Sequence, residues 1–314
     1  MPAFDLTQVP DQSGRTIVIT GANAGLGLIS ARALARAGAR VVLACRNQAT
    51  GAEALAKVDA DGRADHLLVP LDLGSLESGE RAAAAILEEV DTIDVLVNNA
   101  GIMAVPFART ADGFEQQIGT NHLGHFALTS RLLPGLLRSE APRVVTLSSI
   151  AHRQGNIDLD DLNYEHRFYT RMGAYGQSKL ANLLFSGELA RRSEAAGLPL
   201  ISVAAHPGVA ATNLFDSMVP PIPGAMKATH AGLRAIGNPP EDGAASQVYA
   251  ATMPDVRNDD YWGPRALFGV RGPVERCDRT RRASSRRLAT GLWERSVELT
   301  GQDFAALRRS ASKA

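Results

Sequence analysis

The regular alternation of short, continuously apolar strand runs with helix-like segments is what most restricts the fold of this chain. The first run, 16–20 (TIVIT), stops at glycines and is followed by a helix predicted over 26–37 and ended by Gly38. Further strands are predicted at 40–44, 66–71, 95–98, 143–148 and 200–205, with helices at 49–58, 76–90, 114–137 and 174–192 between them. Ser75 is placed to cap the helix at 76–90. Pro134 must cap or kink the 114–137 segment, which reads as one helix or two. A strand that is apolar on both faces is buried on both, and strands joined through helices pair in parallel. The pattern predicts an α/β chain with a doubly wound parallel sheet of about seven strands, flanked by helices on both faces.

Past Pro207 the alternation breaks. Residues 208–240 are rich in proline and glycine and read as a substrate-loop region with a short helix. A helix at 242–252, a seventh strand at 261–268 and a helix at 288–299 follow, inside a basic C-terminal extension over about 276–314. No linker separates two units, so 1–314 reads as a single domain. With 45% apolar residues among 314, the chain can fill a large core. Its formal net charge of zero offers no global field for nucleic acid or anionic membranes. The arginine cluster at 276–287 has no nucleic-acid module around it, and reads as a solvated or subunit-facing surface. Two cysteines, Cys45 and Cys277, make no disulfide framework and suit a reducing compartment. No apolar run of about eighteen residues is present. Residues 1–13 are polar and lack a signal-peptide pattern. We therefore expect a cytoplasmic protein without a membrane segment. His122, His125 and His152 have no trustworthy metal-ligand spacing, so no metal is expected. His230, in the loop region, is more readily a surface histidine than a substrate contact. Leu292 and Trp293 are read as packing residues.

The turn after the first strand carries the first chemical signal. Gly21, Ala22, Asn23, Ala24, Gly25, Leu26 and Gly27 lie between a strand and a helix, spaced Gly-x-x-x-Gly-x-Gly. Close backbone approach and free amides at a helix N-terminus suit a dinucleotide pyrophosphate. The bland alternative is a tight turn without a ligand. The second strand ends at Cys45 and Arg46, where an NAD-binding site usually has an acid. An arginine there can pair with a 2′-phosphate, so NADP(H) is favoured over NAD(H), unless Arg46 is simply solvated. Asp72, with Leu73, follows the third strand. It reads as an acceptor for the adenine amino group or, almost as well, as a helix N-terminal acid.

The second signal is Tyr175-Gly176-Gln177-Ser178-Lys179 on a predicted helix. Residues four apart share one helix face. A lysine ammonium one turn away is expected to lower the phenol pKa from its ordinary value near 10 and equip Tyr175 for general acid/base work. An exposed i,i+4 pair is the unremarkable alternative. Ser148 and Ser149 end the fifth strand at the sheet's carboxyl edge, where ligands of open parallel sheets bind. Residue type alone does not choose between them. Asn121 sits inside a predicted helix despite poor helical propensity, as a functional residue or a simple irregularity.

Taken in order, the glycine turn, Asn98-Asn99-Ala100-Gly101, Asn121, Ser149, Tyr175/Lys179 and Pro207-Gly208 resemble the short-chain dehydrogenase/reductase family over roughly residues 14–212. Leu147–His152, Asp161-Leu162-Asn163 and Gln177–Asn182 are most similar to its retinol dehydrogenase, WW-domain oxidoreductase and protochlorophyllide reductase group. The resemblance implies a Rossmann-type fold and an oxidoreductase moving hydride between a carbonyl and an alcohol. It assigns catalysis to Asn121, Ser149, Tyr175 and Lys179, with Asn121 holding a relay water and Lys179 reaching the nicotinamide ribose. Cofactor contacts are implied at Gly21, Asn23–Gly27, Arg46, Asp72, Leu73, Asn98, Ala100, Gly101, Tyr175, Lys179, Pro207, Gly208, Val209 and Thr212. Ala24 departs from the serine common in the family's glycine turn, which puts one phosphate hydrogen bond in doubt. The substrate is expected to be a fairly large, apolar ketone, aldehyde or alcohol, because the loop holds Leu214, Phe215, Met218, Val219, Ile222 and Met226. A homodimer or homotetramer is expected. The alternatives are a non-catalytic nucleotide-binding regulator, against which the intact Tyr175/Lys179 pair argues, and an epimerase or dehydratase, against which the glycine spacing argues.

Overall fold

A computed structural model of the chain describes residues 4–209 and 238–308. Thr212, His230 and the apolar loop residues named above lie outside the described residues. The strands are β1 Thr16–Thr20, β2 Arg40–Cys45, β3 Leu67–Pro70, β4 Val95–Asn98, β5 Arg143–Leu147, β6 Ile201–Ala205, β7 Tyr261–Pro264 and β8 Val274–Arg276. They form one sheet in the order β3-β2-β1-β4-β5-β6-β7-β8, parallel throughout except for the antiparallel β7–β8 pair. The described sheet therefore has eight strands against the seven expected. The extra one is a three-residue edge strand, half-buried or exposed along its length, so it lacks the apolar run that marks the others. The expected seventh strand stops at Pro264, because Leu267 and Phe268 adopt left-handed φ values and turn the chain.

Helices α1 Gly25–Arg36, α2 Gln48–Asp61 and α7 Pro240–Thr252 cover one sheet face. Helices α3 Leu76–Glu89, α5 Gly124–Leu136, α6 Arg171–Ala195 and α8 Arg286–Thr300 lie on the other. A single turn, α4 Gln116–Ile118, precedes α5. Each face has its own core. Ile17, Ile19, Leu34, Val41, Leu43 and Val203 fill one, and Val18, Val42, Leu96, Phe126, Leu128 and Val144 the other. Alternate residues of the same strands serve opposite cores, which is why each strand reads as an unbroken apolar run. Ser75 caps α3 as expected, its hydroxyl accepting the Ser78 amide. Pro134 sits inside α5 without ending it. On α8, Leu292 and Trp293 are buried, and Trp293 joins Phe126, Phe185 and Phe304 in an aromatic cluster, with Trp293 and Phe304 centroids 4.6 Å apart.

The sheet order reverses between β1 and β4. The loops leaving these two strands diverge to opposite faces and open a crevice at their carboxyl ends. No helix among the described residues is long and apolar enough to cross a membrane.

Candidate active site

The crevice is a cavity of about 340 Å³ bounded by the turns after β1, β2, β3, β4 and β5 and by α6. Gly21, Asn23, Ala24, Gly25, Leu26 and Gly27 line it together with Arg46, Asp72, Leu73, Ala100, Gly101, Tyr175, Lys179 and Pro207. Two glycines have a visible reason. Gly21 has φ +67°, and a Cβ on it would meet Ala100 Cβ at 3.0 Å. A Cβ on Gly27 would come within 2.4 Å of the Gly21 carbonyl and 2.6 Å of Asn99 Nδ2. The turn can therefore pack against β4 only as glycine. Ala24, the N-cap of α1, is extended and gives no side-chain cap. The first amides of α1 are left to a ligand or solvent, and with the helix dipole they suit an anion. The residues present therefore fit a dinucleotide phosphate.

Asn23 Nδ2 donates to Thr50 Oγ1 at 3.0 Å, tying the glycine turn to the start of α2. Arg46 is exposed on the cavity wall beside Asn47. Asp72 lines the cavity while its Oδ1 accepts the Gly74 amide at 2.9 Å, so it serves the turn before α3 as well as facing the crevice.

Three expected cofactor residues sit differently. Asn98 does not line the cavity; its side chain is buried and donates to Thr129 Oγ1 at 3.0 Å. Its neighbour Asn99 faces the crevice instead, because successive residues leaving a strand point to opposite sides. Gly208 and Val209 also fall outside the cavity lining. The Val209 amide donates to the Val270 carbonyl at 2.9 Å, and its carbonyl accepts the Asn238 amide at 2.8 Å.

At the catalytic corner, α6 presents Tyr175 and Lys179 to the cavity, both nearly fully buried. Ser149, just past β5, accepts the Ala151 amide at 3.2 Å, and its hydroxyl acts to lower the proton affinity of the Tyr175 phenol. Ser148, rather than Ser149, is among the residues that line the cavity, and its hydroxyl donates to the Lys179 carbonyl at 2.8 Å. Lys179 Nζ donates to the Leu147 carbonyl at 3.1 Å and lies 5.8 Å from the Tyr175 ring centroid. Burial dominates both groups. It pushes the Tyr175 phenol up to about 12, opposed by the Ser149 hydroxyl, and Lys179 down to about 8. The expectation that Lys179 holds the phenol low is thus reversed in this state. Desolvation outweighs an ammonium that is turned toward a carbonyl.

Asn121 lies in a five-residue π turn, Gly119–Leu123, between α4 and α5. The irregularity expected at this asparagine is real, and it divides the long 114–137 segment. Asn121 Oδ1 accepts the Ile102 amide at 2.8 Å, and its Nδ2 donates to the Ile102 carbonyl and to Ser178 Oγ, each at 2.9 Å. Its side chain does not line the cavity. Residues unanticipated from sequence also face the crevice: Asn99, Ile102 and Thr120. Only Asn99 had a signal, as part of its motif; the other two are placed by tertiary folding. No cluster of metal-ligating side chains occurs among the described residues.

Known proteins bear on this geometry. The family model for short chain dehydrogenase matches residues 15–221. Retinol dehydrogenase 13 of Homo sapiens is 46% identical over 202 residues, covering 64% of this chain and 60% of that protein. The chain thus spans less than two thirds of that relative's length. The crystal structure of an uncharacterized protein from Mycobacterium paratuberculosis is 44% identical and superposes with a TM-score of 0.79, covering 96% of this chain and 99% of that one. The Pseudomonas aeruginosa RhlG/NADP active-site complex is 26% identical with a TM-score of 0.62, over 80% of this chain and 94% of that one. With the family model matching more than half of its residues, the chain belongs to the short-chain dehydrogenase family, oxidoreductases acting on CH–OH and C=O groups with a nicotinamide dinucleotide.

Proposed function

We propose that this protein is an NADP(H)-dependent oxidoreductase that reduces an apolar ketone or aldehyde to its alcohol, with Tyr175 as general acid. The observation that carries the reading is a buried, neutral Tyr175 phenol in the same cavity as the glycine turn. A phenol that holds its proton at neutral pH is ready to give it to a carbonyl oxygen. Ser149 donates a hydrogen bond to that oxygen as negative charge builds there. Lys179, still largely protonated at pH 7, steadies the phenolate left on Tyr175 and would hold a ribose hydroxyl of the dinucleotide. Asn121 braces Ser178, the residue beside Lys179. When bound, the reduced nicotinamide supplies the hydride.

Arg46 and the absence of an acid at the end of β2 support the choice of NADP(H), since a guanidinium pairs with a 2′-phosphate and a carboxylate would repel it. The bound NADP of the RhlG complex agrees with this choice. Asp72, Ala100, Gly101 and Pro207 would hold the rest of the dinucleotide. Met103, Ala104 and Ala151 pack with Tyr175 and give the substrate side an apolar wall that keeps water from the reacting carbonyl. The name of the similar retinol dehydrogenase, an enzyme of an apolar alcohol, is consistent with that wall.

The test is consumption of NADPH and of NADH against a panel of apolar aldehydes and ketones, with the Tyr175→Phe variant alongside. Removing the general acid should cost on the order of a thousandfold in kcat. Full activity in the variant would sink the assigned role.

A further inference from the structure

His125 is fully buried beside this machinery, and the mechanism above makes no use of it. We propose that His125 is a positioning residue whose two ring nitrogens hold the Asn121 π turn in register with the cofactor-facing turn after β4. The proposal rests on the catalytic reading of Tyr175 and Lys179.

Its partners fix the proton. His125 Nδ1 lies 3.0 Å from the Asn121 carbonyl, which can only accept, so Nδ1 carries the hydrogen. Burial, with the Lys179 charge nearby, lowers the imidazole to about 4, so the ring is neutral and Nε2 keeps its lone pair. Thr20 Oγ1, 2.9 Å from Nε2, therefore donates to it rather than to the Val97 carbonyl, which lies farther off at 3.4 Å. The same oxygen accepts the backbone amides of Asn99 and Ala100, each at 3.0 Å. One buried hydroxyl thus orients both the turn that lines the cofactor crevice and the imidazole. A second path starts from the His125 carbonyl, which accepts the Thr129 hydroxyl at 2.7 Å; Thr129 Oγ1 in turn accepts Asn98 Nδ2 at 3.0 Å.

On its other side His125 acts through Asn121. A π turn is a local excess of backbone in a helix, and its carbonyls need partners that regular helix does not supply. The imidazole supplies one to Asn121. The Asn121 side chain then grips Ile102, next to Gly101, and Ser178, next to Lys179. An apolar side chain of equal size would fill the space but leave this carbonyl and the Thr20 hydroxyl without the ring between them. The Lys179 ammonium would then be free to drift relative to the cofactor turn. Misplacement on that scale costs rate rather than binding.

His125→Phe keeps the ring volume and deletes both nitrogens. The expected result is a folded protein whose kcat for carbonyl reduction falls on the order of tenfold or more. The carbonyl KM and the NADPH Kd, read by fluorescence titration, stay within about threefold. His125→Gln carries an N–H and an oxygen acceptor on one amide, and should restore kcat to within about threefold of wild type. A wild-type kcat in folded His125→Phe, or a folded His125→Gln more than tenfold slow, overturns the proposal. If His125→Phe does not fold, the glutamine variant and the ring nitrogens of the wild type decide. Nitrogen-15 NMR at neutral pH should show a protonated Nδ1 and a bare Nε2; the opposite tautomer, or an imidazolium, overturns it. The NMR readout needs no turnover. A wild-type protein inactive on every carbonyl would therefore defeat the proposed function while leaving this result separately readable.

Discussion

The glycine turn shares one cavity with Tyr175 and Lys179, yet the turn and the corner around Tyr175 are made of different material. Between Gly21 and Gly27 the working groups are backbone amides and the empty space where side chains would be. Around Tyr175 the groups to which we assign catalysis are side chains from separate elements: Ser149 after β5, Tyr175 and Lys179 on α6, and Asn121 in the π turn. The first region tolerates few residues because almost any Cβ collides. The second tolerates many backbones, provided that four side chains converge. A backbone site is held by the same contacts that hold the sheet, so its loss should appear as loss of cofactor affinity. A side-chain site should lose rate while binding survives.

Ser149→Ala should separate the two regions most strongly. Removing this hydroxyl is expected to lower kcat about a hundredfold while the NADPH Kd stays as it was. Loss of binding in step with rate would erase the distinction. Arg46→Ala should weaken NADPH binding by roughly tenfold to a hundredfold, the worth of a charge-assisted phosphate contact, and leave NADH nearly untouched. Equal losses for both nucleotides would remove the case for NADP(H). In Gly27→Ala the added methyl must push on the Gly21 carbonyl and Asn99, at a cost of about 1–3 kcal/mol, so cofactor affinity should fall roughly tenfold. Its kcat at saturating NADPH should stay near wild type, and a selective loss of kcat would contradict the backbone picture.

The smallest effect concerns stability. Lys179 titrates near 8 in the folded chain and near 10.5 as a free side chain. Between those values the unfolded chain binds more protons, so this lysine destabilises the fold fully below pH 8, and the penalty fades as pH rises toward 10.5. Lys179→Met should therefore melt a few degrees higher than wild type at pH 7, with the gap closing by pH 10. A variant that melts lower at pH 7 would show that the ammonium stabilises the corner.

Much of this arrangement was legible before folding. The unbroken apolar runs announced buried parallel strands, and β1 and β4 fall where their runs begin and end. The glycine spacing located the cavity, and Asn121 flagged the π turn through its poor fit to a helix. The short edge strand β8 had no apolar run and stayed hidden. Asn98 was read as a cofactor contact, but strand pleating turns it inward and exposes Asn99. The proton affinity of Tyr175 was read from its lysine neighbour alone, and the burial that reverses its direction is a property of the packed molecule.

The sequence by itself determined the layer order, the turn that only glycine fits and the helix face that pairs Tyr175 with Lys179. These depend on local sterics and on periodicity, which act between residues close in the chain. Tertiary structure alone decided that Ser148 bonds the Lys179 carbonyl, that Lys179 leans on the Leu147 carbonyl, and that His125 bridges Thr20 and Asn121, which lie far apart in the chain. Those contacts depend on which way a side chain leaves a strand or helix and on how much water is excluded around it. Both are settled only when distant segments pack together.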